Sequence, residues 1–248
     1  MTMTKLVGRW TTLLIALLTV ALPAACRTTK ADDNTVVADT VSKASTSTGP
    51  DSVRGASQAV AAAGTHTVVF VGTSLTAGLG LEPDSAYPQL IQQKIDSARL
   101  PFEVVNAGVS GETTAGLLRR LDWLLRGTFD VIVVESGAND GLRGTPVATV
   151  RANLHEIVSR IRRAHPNAKV LLVQMEAPPN LGPEYTTAFH SLFGEVARED
   201  GATLVPFLLQ GVAGDRSLNQ SDGMHPNQRG EHIVAENVWR ALEPELRR

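Results

Sequence analysis

Apolar and polar positions alternate in two rhythms over the last two thirds of this chain. Short runs rich in Val, Ile, Leu and Phe occupy residues 67–71, 102–105, 131–135, 169–175 and 203–206, and have the length and composition of strands. Between them, residues 87–98, 113–126, 147–164 and 184–200 carry apolar side chains at helical spacing, and 228–246 closes the chain in the same way. Strand and helix in strict turn predict an α/β fold, a five-stranded parallel sheet with helices on both faces. Runs such as VIVV and VLLV, with no polar residue interleaved, suit strands buried from both sides.

In an open parallel sheet, ligands bind beyond the carboxyl ends of the strands. The polar, glycine-rich segments fall at those ends: GTSLTAG, NAGVSGET, SGANDGLRG and EAPPN after the first four strands, and QSDGMHPN before the last helix. Five loops are therefore expected to converge on one sheet edge.

Composition narrows the partners. With 248 residues, 43% hydrophobic content and a net charge of -2, the chain can build one sizeable core, and its charge argues against nucleic acid. Residues 1–25 read as an export signal: Lys5 and Arg9 precede an uncharged apolar run, and Ala24 and Ala25 supply small residues for cleavage. Cys26, the single cysteine, follows directly, so no internal disulfide can form. Its setting resembles a bacterial lipobox, with Pro23 standing where leucine is usual, and makes Cys26 the candidate lipidation site. Residues 26–64 are mostly Thr, Ser, Ala, Asp and Gly, with scattered valines and no aromatic, a composition expected of a disordered tether. A folded domain is expected over 65–248. The location that follows is exported, periplasmic or membrane-anchored through a lipid on Cys26; the sequence says nothing of oligomeric state.

The chemistry begins at Ser74, which a strand ending in glycine delivers into a turn. A hydroxyl needs a base to take its proton and donors to receive the charge on the substrate oxygen. In DGMH, the three-residue separation of Asp222 and His225 lets one turn bring the carboxylate to Nδ1, and Pro226 keeps His225 extended just before a helix. Taken singly, Asp-x-x-His is a helix cap with a surface histidine, Asn139 in GAND a turn residue, and Gly111 in SGET a turn glycine. Their joint order on loops at one edge is what gives them weight. Gly78 and Gly80 do not make a dinucleotide fingerprint, since Pro83 takes the place of its third glycine. The remaining histidines lack paired metal-ligand spacing.

These blocks, GTSL, NAGVSGET, GAND and DGMHPN, resemble the SGNH or GDSL hydrolase superfamily, and most closely its bacterial thioesterase I, lysophospholipase L1 and arylesterase branch. The resemblance covers the whole folded domain and implies a flavodoxin-like three-layer sandwich. It implies Ser74 as nucleophile, His225 as base and Asp222 as its orienting acid. It also implies an oxyanion hole from the Ser74 and Gly111 backbone N–H groups and the Asn139 amide, with no metal or organic cofactor. Where the family's first block usually has aspartate, this chain has Thr73. Leu79, Leu81, Tyr87, Leu142, Pro178, Pro179 and Leu181 are candidate linings of an acyl groove, although each also suits ordinary loop packing. The expected activity is that of an exported serine esterase on small acyl esters, thioesters or lysophospholipids. A tethered, inactive binding module and a carbohydrate O-deacetylase are the alternatives, and the 4% aromatic content speaks against sugar platforms.

Overall fold

The computed structural model describes residues 64–248; the export segment, Cys26 and all but the last residue of the tether lie outside the described residues. Five strands form one parallel sheet: β1 (His66–Gly72), β2 (Phe102–Gly108), β3 (Val131–Glu135), β4 (Lys169–Val173) and β5 (Thr203–Val205). Their spatial order is β2-β1-β3-β4-β5, the flavodoxin-like arrangement. Every residue of β3 is buried, as its uninterrupted VIVVE run demands, whereas β2 at the edge alternates between half-buried and exposed positions. The central apolar side chains pack against helices on each face, with Val68, Phe70, Ile132, Val133, Leu171 and Leu172 fully buried.

The helices are α1 (Ser74–Ala77), α2 (Tyr87–Ser97), α3 (Thr114–Leu124), α4 (Ala138–Leu142), α5 (Val147–Ala164), α6 (Pro183–Asp200) and α7 (Gln228–Leu246). On one face α2 packs on α7; on the other α5 lies between α3 and α6. The long helices match the apolar spacing to within a few residues. The four- and five-residue α1 and α4 escaped that reading because so short a turn shows no period. β5 stops at Val205 because Pro206 has no N–H to donate. The chain direction of sheet growth reverses at β1, which has β2 on one side and β3 on the other. The loops leaving β1 and β3 therefore part above the sheet and open a crevice between them.

Candidate active site

The crevice is built from the turn that follows β1. Gly72 ends the strand, Thr73 caps α1, and Ser74 is the first helical residue. Gly78, in the left-handed region at φ 69°, ends this single turn and directs its N–H back to the Leu75 and Ser74 carbonyls. Ser74 thus stands at a helix start, its own N–H unused by the helix.

The loop before α7 meets it from above. Asp222 and His225 lie in a tight turn in which Asp222 Oδ1 accepts the N–H of Met224 (2.9 Å) and of His225 (3.0 Å). Its second oxygen is 2.6 Å from His225 Nδ1. These contacts, with the His225 amide first, hold the Asp222 carboxyl down at about 2. An ionised acceptor at Nδ1 puts the ring proton there and leaves Nε2 as acceptor, 2.8 Å from Ser74 Oγ. Asn227 then caps α7, accepting the N–H of Arg229 and Gly230, so the helix begins just beyond the histidine. Gln220 ties this loop to the first, donating to the Leu79 and Pro226 carbonyls (2.8 and 2.9 Å).

Gly111 and Asn139 enter from the loops after β2 and β3. Gly111 has φ 78°, and a Cβ added there would meet nothing within 4 Å, so backbone conformation rather than space demands glycine. Asn139 Nδ2 donates to the Glu112 carbonyl at 3.0 Å, which joins the two loops and leaves its second N–H for the crevice. Arg120 braces the Gly111 loop, reaching both Glu112 carboxylate oxygens at 2.7 Å and the Ala107 carbonyl at 2.8 Å. Asp140, buried, accepts the Thr114 N–H and hydroxyl at 2.8 Å and so anchors the start of α3.

Ser74, Gly111, Asn139 and His225 line one cavity of about 550 Å³, with mostly apolar walls. Of the groove residues expected from sequence, Leu79, Leu142, Pro178 and Pro179 line it. Three do not. Leu81 turns to a separate pocket beside Pro83 and Pro88. Leu181 lies outside the cavity, against Gly144. Tyr87 is fully buried in the core, its hydroxyl 2.8 Å from Thr76 Oγ1. In their place stand Met175, Phe207, Leu209 and Met224, which sequence reasoning missed. Phe207 and Leu209 lie just beyond the last strand run, outside any apolar pattern that the sequence shows.

Thr73 is 1% exposed, with its hydroxyl on the Glu135 carboxyl. Of the other histidines, His66 pairs with Asp130, His155 with Asp200, His165 with the Leu125 carbonyl, and His190 with Glu176 at the cavity wall. Among the described residues there is no cluster of metal-ligating side chains.

The sequence model of the GDSL-like Lipase/Acylhydrolase family matches residues 70–233, from β1 into α7. The chain belongs to that family. It is 40% identical over 185 residues to Esterase TesA of Pseudomonas aeruginosa, spanning 74% of this chain and 91% of the relative. It is 34% identical over 184 residues to Thioesterase 1/protease 1/lysophospholipase L1 of Escherichia coli K12, spanning 74% and 86%. The crystal structure of a psychrotrophic esterase, EstA from Pseudoalteromonas sp., inhibited by monoethylphosphonate, superimposes with a TM-score of 0.69 at 34% identity, covering 74% of this chain and all of that one. This GDSL hydrolase is accordingly an ester-hydrolysing serine hydrolase.

Proposed function

We propose that Ser74 is the nucleophile of an exported esterase that hydrolyses carboxylic esters or thioesters with an apolar acyl part, lysophospholipids among them. The observation that carries this reading is the unbroken relay Asp222–His225–Ser74, with contacts of 2.6 and 2.8 Å, opening into an apolar cavity. Ser74 Oγ attacks the acyl carbonyl as His225 Nε2 takes its proton, and Asp222 holds the ring and stabilises the imidazolium. The Ser74 and Gly111 N–H groups and the Asn139 amide receive the oxyanion. Collapse expels the alcohol or thiol, protonated by His225, and leaves an acyl-serine; water, deprotonated by His225, then hydrolyses it.

Leu79, Leu142 and Met224, each about half exposed, ring the cavity mouth and favour an acyl chain over a sugar as occupant. Apart from His225, Phe207 is the one aromatic ring in the lining among the described residues. Export rests on the pattern of residues 1–25, and mass spectrometry of the mature amino terminus tests both cleavage and lipidation at Cys26. The test of function is a chain-length panel of p-nitrophenyl acyl esters on wild type and Ser74→Ala, with fluorophosphonate labelling. Activity and labelling are expected only with Ser74 present. Wild-type rates in Ser74→Ala would overturn the assignment.

A further inference from the structure

Glu135 ends β3 with its carboxyl fully buried, and it reaches across to the turn that leaves the neighbouring strand β1. Its Oε2 accepts the Thr73 N–H at 2.7 Å, the Thr73 hydroxyl at 2.9 Å and the Thr76 hydroxyl at 3.0 Å. A Cβ at position 72 would fall 2.6 Å from that oxygen and 2.0 Å from Thr76 Oγ1, so Gly72 is what lets carboxyl and threonine close against the backbone. Thr73 and Thr76 bracket Ser74. The single turn between them is too short to hold itself, with Ala77 N–H on the Thr73 carbonyl as its one full helical bond to the cap.

We propose that Glu135 is a positioning residue: as a carboxylate it holds the β1–α1 turn, and through it the Ser74 hydroxyl and N–H, while Thr73 supplies the donor that lets it stay ionised. The proposal rests on Ser74 being the nucleophile. It follows from the strength of the bonds that the carboxyl accepts. An amide and two hydroxyls aim at one carboxyl, and an ionised acceptor takes all three without conflict. Tyr87 completes the chain, its hydroxyl donating to Thr76 Oγ1 while Thr76 donates to Glu135. A protonated Glu135 carries its hydrogen on Oε1, 3.1 Å from the Thr73 hydroxyl, and leaves on Oε2 a neutral acceptor whose bonds to the turn are weaker than those of a carboxylate. An aspartate at position 73 would bring a second acid and no donor.

The groups facing Glu135 are Thr73 and Thr76 from the β1–α1 turn and Tyr87 from α2; Glu231 of α7 lies beyond, accepting the Tyr87 N–H at 2.8 Å. None of these is a cation. Burial therefore dominates and pushes Glu135 up to about 7, against the opposing Thr73 and Thr76 hydrogen bonds. The carboxylate, which binds the turn more tightly, forms as pH rises through neutrality.

Glu135→Gln keeps the size and an acceptor for the Thr73 N–H, and removes the charge. The experiment compares kcat and KM of wild type and E135Q on a short p-nitrophenyl ester from pH 5.5 to 8.5. The ratio of wild-type to E135Q kcat is expected to stay near one at pH 5.5 and rise to about tenfold at pH 8.5, with KM unchanged. Thr73→Val, which deletes one donor and leaves the charge, is expected to move the wild-type midpoint to higher pH, and it carries the test should E135Q fail to fold. A ratio that is flat across pH, or a midpoint unmoved in T73V, overturns the proposal. With Ser74→Ala inactive, such a result leaves the nucleophile assignment standing; an active Ser74→Ala would remove both.

Discussion

Removing the side chain of Asn139 tests the proposed oxyanion hole through one donor, with little else disturbed. One N–H of its amide is committed to the Glu112 carbonyl at 3.0 Å, and the other is available to the cavity that Asn139 lines. Asn139→Ala therefore deletes one donor to the transition state and one ground-state loop tie. A preorganised donor in such a site is worth about 3 kcal/mol, which corresponds to a fall in kcat of about 150-fold. The loop tie is an ordinary hydrogen bond, worth about 1 kcal/mol of stability. The two losses are read separately: kcat and KM on a p-nitrophenyl ester report the first, and the urea midpoint reports the second. KM should hardly move, because the ground-state carbonyl carries little charge. Fluorophosphonate labelling should slow by a similar factor, since its phosphoryl oxygen needs the same donors. A variant with kcat within about threefold of wild type, at any stability, would refute the placement of the oxyanion against Asn139.

Three further outcomes follow from the carboxyl groups. Asp222→Asn presents an amide where Nδ1–H needs an acceptor, which favours the wrong tautomer and should lower kcat by about 10³- to 10⁴-fold, measured on the same ester. Asp222 is held down at about 2 by amide hydrogen bonds, so its contribution to stability is present above its ordinary value near 3.8 and is lost as pH falls through about 2. The difference in urea midpoint between wild type and D222N should hold above about pH 4 and vanish toward about pH 2. Glu231 behaves in the opposite sense: burial pushes it up to about 8 against a single hydrogen bond from Tyr87 N–H, and its contribution is full below 4.5 and lost as pH rises through about 8. Glu231→Gln keeps an acceptor for Tyr87 and should flatten the fall in urea midpoint between pH 6 and 9; an unchanged fall would show that Glu231 is not its source.

The residues that could be read along the chain are those whose signal is local. Val131–Glu135 is buried on both sides and says so by having no polar residue before its end. Val147–Ala164 and Gln228–Leu246 show their helical stripe over many turns, and their bounds agree with the pattern. Asp222 and His225 sit three residues apart, close enough that one turn settles their contact. The blocks around Ser74, Gly111 and Asn139 were legible for the same reason, as short strings at strand ends.

Direction out of a loop was not legible, because it is decided by what packs against the loop from far along the chain. Leu79 and Leu81 are two residues apart, yet Leu79 lines the cavity and Leu81 turns to another pocket. Gln220, 141 residues away, holds the Leu79 carbonyl between them. Tyr87 left the predicted groove for the core, where Thr76 offers its hydroxyl a partner that burial would otherwise deny it. Phe207 and Leu209 line the cavity from the loop that follows β5, where no local pattern marks them. Thr73 and Glu135 stand 62 residues apart and form one hydrogen-bonded unit because β1 and β3 are neighbours in the sheet. The order of residues was enough to set the elements and the chemical groups each loop carries, since those depend on neighbours a few positions away. Which groups meet, and which donors a buried acid beside the Ser74 turn finds, came from strand order and helix packing, because hydrogen bonding and burial act through space.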